Sequence, residues 1–128
     1  MEEITSNVME ILEVAAIVHD IGIKVSMKKY GKCNGKLQEQ EGPSYAEKLL
    51  NRLEFNKEVI ERVSYLVAHH HTYSNIDGID YQILVEADFL VNLYENNNDK
   101  ETIQNTYNKI FKTGAGRKLC CHMFMIKD

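Results

Sequence analysis

The sequence predicts an all-α protein, a bundle of about five to six helices. Apolar residues recur at the three- and four-residue spacing of helices over nearly the whole chain. Gly, Pro and Trp are scarce, with seven, one and none among 128 residues, whereas a β sandwich needs frequent turn signals. The length suits a single core, so we expect one domain over residues 1–128.

The first helix is predicted from about Ile4 to His19, with apolar residues along one side. Gly22 follows, and we expect it to end this helix. Residues 24–38 are polar, contain glycine and show no periodicity, so we expect an exposed loop there.

A second helix is predicted to open at Gly42-Pro43-Ser44, because proline is tolerated in a first helical turn. A third begins after Asn56, whose side chain can cap it, and continues into the run His69-His70-His71. The apolar residues that define these two helices are Ala46, Leu49, Leu50, Leu53, Ile60, Val63, Leu66 and Val67.

Three further helices are predicted in the second half of the chain. A polar turn at residues 74–78 precedes a helix of about Tyr81 to Tyr94. Asn96-Asn97-Asn98-Asp99 ends that helix and starts the next one. Thr113-Gly114-Ala115-Gly116 breaks the pattern before a last helix, Arg117 to Ile126.

Composition excludes several classes of protein. The formal net charge of −4 argues against nucleic-acid binding through a broad basic patch. No apolar run approaches the roughly 20 residues that span a membrane, and the acidic N-terminus does not resemble a signal peptide. Three cysteines without a regular framework fit a reducing compartment. We therefore expect a cytoplasmic protein.

His19 and Asp20 close an apolar helix and form the first candidate metal site. Charged groups are rarely left in apolar surroundings unless something pairs with them. The third helix adds imidazoles. At about 100° per residue, His70 and His71 flank the continuation of its apolar stripe, whereas His69 points to solvent.

Two carboxylates extend the candidate set. Asp88 shares the i, i+3, i+4, i+7 pattern of a buried face with Leu84, Ala87 and Val91. Glu41 lies near the predicted start of the second helix. Imidazole and carboxylate ligands together suit a divalent Mn, Fe, Zn, Ni or Mg ion, and the oxygen content favours the harder ions.

Each candidate also has a structural alternative. His19 can be a hydrogen-bonded core histidine, and Asp88 can cap a helix or pair with Arg52 or Arg62. Three successive histidines often form only a polar helix terminus. Glu41 is favoured near a helix start by the macrodipole without any metal. Because several candidates fall together on inward faces, we favour the metal site.

Four segments follow one another in a characteristic order: Ala15–Gly22 with His-Asp, Glu41–Ala46, His69–Thr72, and Val85–Asp88 with Ala-Asp. In these segments the chain resembles the HD-domain superfamily of metal-dependent phosphohydrolases. The resemblance implies an all-α bundle around one metal ion or a pair. It assigns metal-ligand roles to the matching residues His19, Asp20 and Asp88, and binding of a second metal or of phosphate to His70 and His71.

Two departures from the family pattern concern the ligands. The pattern usually starts with another His on an upstream helix, and no His precedes His19, so a truncated chain and an absent ligand are both open. Glu41-Gly42-Pro43 stands where relatives often have His-Gly-Pro, so Glu41 takes the place of the histidine. Its carboxylate can still bind a hard cation or receive a proton, and Glu41 is kept as a metal-ligand candidate.

Two hypotheses of function follow. In the first, the protein hydrolyses a phosphate ester, a nucleotide or a similar small phosphorylated molecule, with His70 and His71 as catalytic residues. Lys24, Lys28 or Lys29 would then neutralise substrate charge. In the second, a degenerate or truncated HD domain acts as a non-catalytic ligand- or partner-binding module. A homo-oligomer whose second subunit supplies the absent ligand is a further alternative.

Overall fold

A computed structural model describes residues 3–128 and confirms the all-α class. Over this range the chain forms seven helices and no strand: α1 (Ser6–Val18), α2 (Gly22–Tyr30), α3 (Gly35–Arg52), α4 (Lys57–His69), α5 (Ile79–Glu95), α6 (Lys100–Ile110) and α7 (Gly114–Phe124). Within the same range, none of the helices combines the length and apolarity needed to cross a membrane.

The chain divides into two compact units, residues 5–76 and residues 77–128, the latter joined by residues 3 and 4. The prediction of one domain over the whole chain stays a prediction. In the unit of residues 5–76, α3 packs against both α2 and α4, and α4 packs against α1. Fully buried apolar residues of this unit are Ala15, Ala46, Leu50, Val63, Leu66 and Val67.

The predicted loop over residues 24–38 is wrong, because α2 occupies residues 22–30 and α3 begins at Gly35. The buried residues of α2 are Gly22 and Ser26, which are too small to leave an apolar signature in the sequence. Gly22 is therefore the first residue of a helix and not a breaker. A side chain there would put its Cβ 2.7 Å from the backbone oxygen of Gln38, so glycine permits the close contact of α2 with α3.

The predicted start of the second helix at Gly42-Pro43 is also wrong. Asn34 caps α3 by accepting a hydrogen bond from the Leu37 N–H at 3.0 Å, and Pro43 lies inside the helix. Proline has no N–H for the carbonyl four residues earlier, and yet the helix continues past it. At Gly42 a Cβ would lie 2.7 Å from Cγ1 of Val67, which shows how closely α3 and α4 approach each other.

In the unit of residues 77–128, α7 packs against α5 and α6 around a small core. The buried residues of this core are Leu93, Ile103, Tyr107, Phe111 and Cys120. The predicted start of the last helix at Arg117 is wrong, because Thr113 caps a helix that begins at Gly114.

The carboxylate of Glu86 ties this helix start to α5. It is buried and accepts hydrogen bonds from the Thr113 hydroxyl at 2.6 Å and from the backbone N–H groups of Lys112 and Thr113 at 2.9 and 3.0 Å. A buried carboxylate is stable when it is satisfied in this way.

Candidate metal centre

The end of α1 delivers an imidazole and a carboxylate to one place. His19 is the C-cap of α1, and its Nδ1 lies 2.9 Å from the Ala16 carbonyl oxygen. Since a carbonyl can only accept, Nδ1 carries the proton and the Nε2 lone pair of the neutral ring is left for another partner. Nε2 lies 3.3 Å from Oδ2 of Asp20, whose side chain is 49% exposed.

The end of α4 delivers a second imidazole with the same orientation. His70 is fully buried, and its Nδ1 lies 2.9 Å from the Val67 carbonyl oxygen. Its Nε2 lies 3.7 Å from Oδ1 of Asp20, and its ring meets that of His19 edge-on with centroids 5.2 Å apart. His70 therefore also presents an Nε2 lone pair toward the Asp20 carboxylate.

His71 joins this group on the turn after α4. Its Nε2 lies 3.0 Å from Oε1 of Gln38, and the same oxygen lies 3.4 Å from Nε2 of His70. Glu39 fixes the turn by accepting hydrogen bonds from the His71 N–H at 3.0 Å and the Thr72 hydroxyl at 2.7 Å. The ring of His69 stacks on Tyr65 instead, with centroids 4.1 Å apart.

The chemistry of this donor set fits a divalent cation. One ligand atom each from Asp20, His70 and His71 lies within 4.8 Å of the others. Without a cation, a hydrogen bond from the His70 side chain, followed by the charges of the nearby imidazoles when they are protonated, holds the pKa of Asp20 below its ordinary value despite partial burial, and a bound cation would take the place of those protons. An ionised carboxylate and imidazole nitrogens that have released their protons are electron-pair donors, and because these atoms converge, a divalent cation between them would be stabilised.

Glu41 is engaged with α2. Its carboxylate accepts hydrogen bonds from Nζ of Lys29 at 2.7 Å, the hydroxyl of Tyr30 at 3.1 Å and the amide of Gln40 at 3.2 Å. The bond from Lys29 is the main cause that holds the pKa of Glu41 below its ordinary value. A metal role for Glu41 stays a prediction, and so does a role in substrate binding for Lys29.

The family model for the HD domain matches residues 2–111. The chain belongs to the HD domain family. No curated protein and no solved structure matches it. HD domains typically bind divalent metals, and the convergence of His and Asp side chains in residues 5–76 agrees with that property.

Asp88, the remaining ligand that the HD pattern predicts, lies on α5 in the unit of residues 77–128. It is partly buried. The predicted burial of its whole helix face is wrong, because Leu84 is buried but Ala87 is exposed and Val91 is 52% exposed. Its role as a ligand in this HD domain stays a prediction.

Two residues at the site were missed in the sequence. Gln38 fell in the predicted loop over residues 24–38 and Glu39 directly after it, yet both contact the histidine turn of the HD domain. Asn34 could have revealed them, because an N-cap residue there begins a helix in which Gln38, Gly42 and Ala46 recur every four residues.

Proposed function

We propose that this HD domain is a metal-dependent phosphohydrolase that acts on a phosphate ester, a nucleotide or a similar small phosphorylated molecule. The observation that supports the proposal most is the orientation of His19 and His70. In both rings Nδ1 donates a hydrogen bond to a backbone carbonyl, and Nε2 faces the Asp20 carboxylate. Such backbone hydrogen bonds are typical of imidazoles that ligate metals.

In this proposal His19 and Asp20 hold the ion, with Asp88 as the third ligand on the strength of the sequence pattern. A bound divalent ion supplies Lewis-acid activation of a phosphate oxygen and of a water molecule. Asp20 is half exposed and His71 is partly exposed, so a phosphate can approach these side chains from solvent. His70 and His71 bind a second ion beside Asp20 or orient the phosphate group, and in the latter role a protonated His71 ring can donate a hydrogen bond to the phosphate oxygens.

The test is elemental analysis of the purified protein together with turnover of phosphate esters in the presence of Mn²⁺ or Ni²⁺. We expect one or two equivalents of metal in the wild type. Asp20→Asn and Asp88→Ala should lose both metal and turnover, because a ligand oxygen is removed. His69→Ala is the matched control, since that ring stacks on Tyr65, and it should keep both.

Failure of the wild type to bind any divalent ion after dialysis against metal would overturn the proposal. Stoichiometric metal without turnover of nucleotides or simple phosphate esters would instead favour the alternative, a non-catalytic ligand-binding HD domain. Turnover that falls on dilution would indicate a second subunit that completes the site.

A further inference from the structure

The side chain of Gln38 occupies a central place in the candidate metal centre. Its Oε1 lies 3.0 Å from Nε2 of His71 and 3.4 Å from Nε2 of His70, and this second nitrogen lies 3.7 Å from Oδ1 of Asp20. One amide oxygen therefore contacts both of the successive histidines, and His70 in turn adjoins the carboxylate.

These separations are those of atoms that share one ion. Donor atoms about 2.1 Å from a metal are about 3.0 Å apart at the edge of an octahedron and about 3.4 Å apart at the edge of a tetrahedron. The distances of 3.0 and 3.4 Å lie at the two ends of that interval, and only the 3.7 Å distance between His70 and Asp20 lies above it. That one longer distance suits a site that closes around its ion.

The protonation pattern also fits. His70 donates Nδ1–H to the Val67 carbonyl, so a neutral His70 has a lone pair on Nε2. In the neutral ring that lone pair faces the Gln38 oxygen 3.4 Å away, an arrangement that a cation between the two atoms would stabilise. Without an ion, Nε2 of His71 donates its proton to the Gln38 oxygen, which can only accept. To bind an ion through Nε2, His71 must carry its proton on Nδ1, where the Tyr73 hydroxyl, 3.4 Å away, can accept a hydrogen bond from it.

We propose that Gln38 is a metal ligand through its amide oxygen and that it biases the centre toward hard cations. The inference rests on the proposed function, taken with an ion held by Asp20, His70 and His71, and it adds an uncharged oxygen to that set of one carboxylate and two imidazoles. Oxygen donors favour Mn²⁺ and Mg²⁺ relative to Zn²⁺, for which imidazole is a better partner.

The experiment measures the affinities of the full chain for Mn²⁺ and Zn²⁺, by electron paramagnetic resonance of free Mn²⁺ and by chelator competition for Zn²⁺. Gln38→Leu keeps the approximate size and removes the oxygen. We expect Mn²⁺ affinity to fall on the order of 10-fold or more, with a smaller loss for Zn²⁺. Gln38→Glu keeps the oxygen and adds charge, so Mn²⁺ affinity should rise, a gain that misfolding cannot produce.

A double-mutant cycle separates direct ligation from positioning of His71. If Gln38 binds the ion itself, Gln38→Leu still weakens Mn²⁺ binding in a His71→Ala background. Gln104→Leu on α6 is the matched control and should leave both affinities unchanged, since that side chain contacts Asn108. Circular dichroism checks the folding of each variant.

Wild-type Mn²⁺ affinity in Gln38→Leu, or loss of its effect in the His71→Ala background, would overturn the inference and leave the metal centre standing. A wild type that binds neither ion would remove the proposed function and this inference with it. If Asp20→Asn loses the metal and Gln38→Leu keeps it, the metal centre stands and only the role of Gln38 is wrong.

Discussion

At the scale of single residues, the hydrogen bonds of two backbone carbonyls decide what the site can do. Ala16 and Val67 accept the Nδ1 protons of His19 and His70, and each carbonyl lies three residues before its histidine. Because the histidines follow the last residues of their helices, these carbonyls are among those that lack an intrahelical partner. Each histidine thus provides a hydrogen-bond donor for a carbonyl at the end of its own helix. The same hydrogen bond fixes the ring tautomer of a potential metal ligand.

The thiol of Cys120 lies in the core of residues 77–128, where burial raises its pKa to about 11 from an ordinary value of 9.0. Below pH 9 the thiol is protonated in the folded and unfolded chain and contributes no pH dependence. Between pH 9 and 11 only the unfolded chain loses this proton, so rising pH favours unfolding. We expect this group to lower the free energy of unfolding on the order of 2 kcal/mol over that interval.

The measurement is urea unfolding at several pH values between 8 and 11 for the wild type and Cys120→Ala. The variant starts less stable because a packed sulfur is removed, but its stability should decline less steeply above pH 9. Tyr107, whose pKa burial also raises, is present in both proteins and cancels in the comparison. Equal slopes for the two proteins would contradict the assignment.

At the scale of helices, the sequence predicted those that combine a capping side chain with a run of large apolar residues. Asn56 before α4 and Asp99 before α6 cap their helices as the pattern indicated. The sequence failed for α2 and for the start of α3, where the buried positions are the small residues Gly22, Ser26 and Gly42 and the charged Glu41. Helices that approach closely bury small residues, and hydrophobic periodicity does not detect them.

The contact of Gly42 with Val67 provides a test of this close approach. In Gly42→Ala the new Cβ would lie 2.7 Å from Cγ1 of Val67, a fully buried and stiff side chain. Overpacking costs about 1–3 kcal/mol, whereas the helix propensity of alanine returns at most about 1 kcal/mol. We expect a net loss of about 1 kcal/mol in urea unfolding.

The double variant Gly42→Ala with Val67→Ala should be more stable than the sum of the two single changes, by about 0.5–3 kcal/mol, because the clash disappears. Val63→Ala on the same helix is the matched control. It removes an equally buried valine, and its combination with Gly42→Ala should be additive. Additivity in the Val67 pair would mean that α3 and α4 are not in this contact.

At the scale of the whole chain, the predicted all-α class is confirmed, several predicted helix boundaries are wrong, and the ligand roles of the candidate residues stay predictions. His19, Asp20, His70 and His71 are chemically distinctive and lie at helix ends that periodicity can locate. Gln38 was missed because an amide side chain in a polar segment carries no such signal, and its contacts with the histidines are 32 and 33 residues away along the chain. Long-range contacts of polar residues depend on the packing of α3 against α4, which the sequence pattern did not provide.

Metal binding should stabilise the chain locally, and hydrogen exchange can locate the effect. A ligand that binds only the folded state adds RT ln(1 + [L]/Kd), about 2.7 kcal/mol at 100 times Kd. Asp20, His70, His71 and Gln38 all lie in residues 5–76, so the slowing of exchange on addition of Mn²⁺ should concentrate at the ends of α1 and α4 and in the first turns of α3. The amides of α6 and α7 provide an internal reference that should change least.

In Asp20→Asn, Mn²⁺ should leave the exchange rates and the thermal midpoint unchanged, since the carboxylate that attracts the ion is gone. Equal slowing in all seven helices, or stabilisation of Asp20→Asn as large as that of the wild type, would place the ion elsewhere.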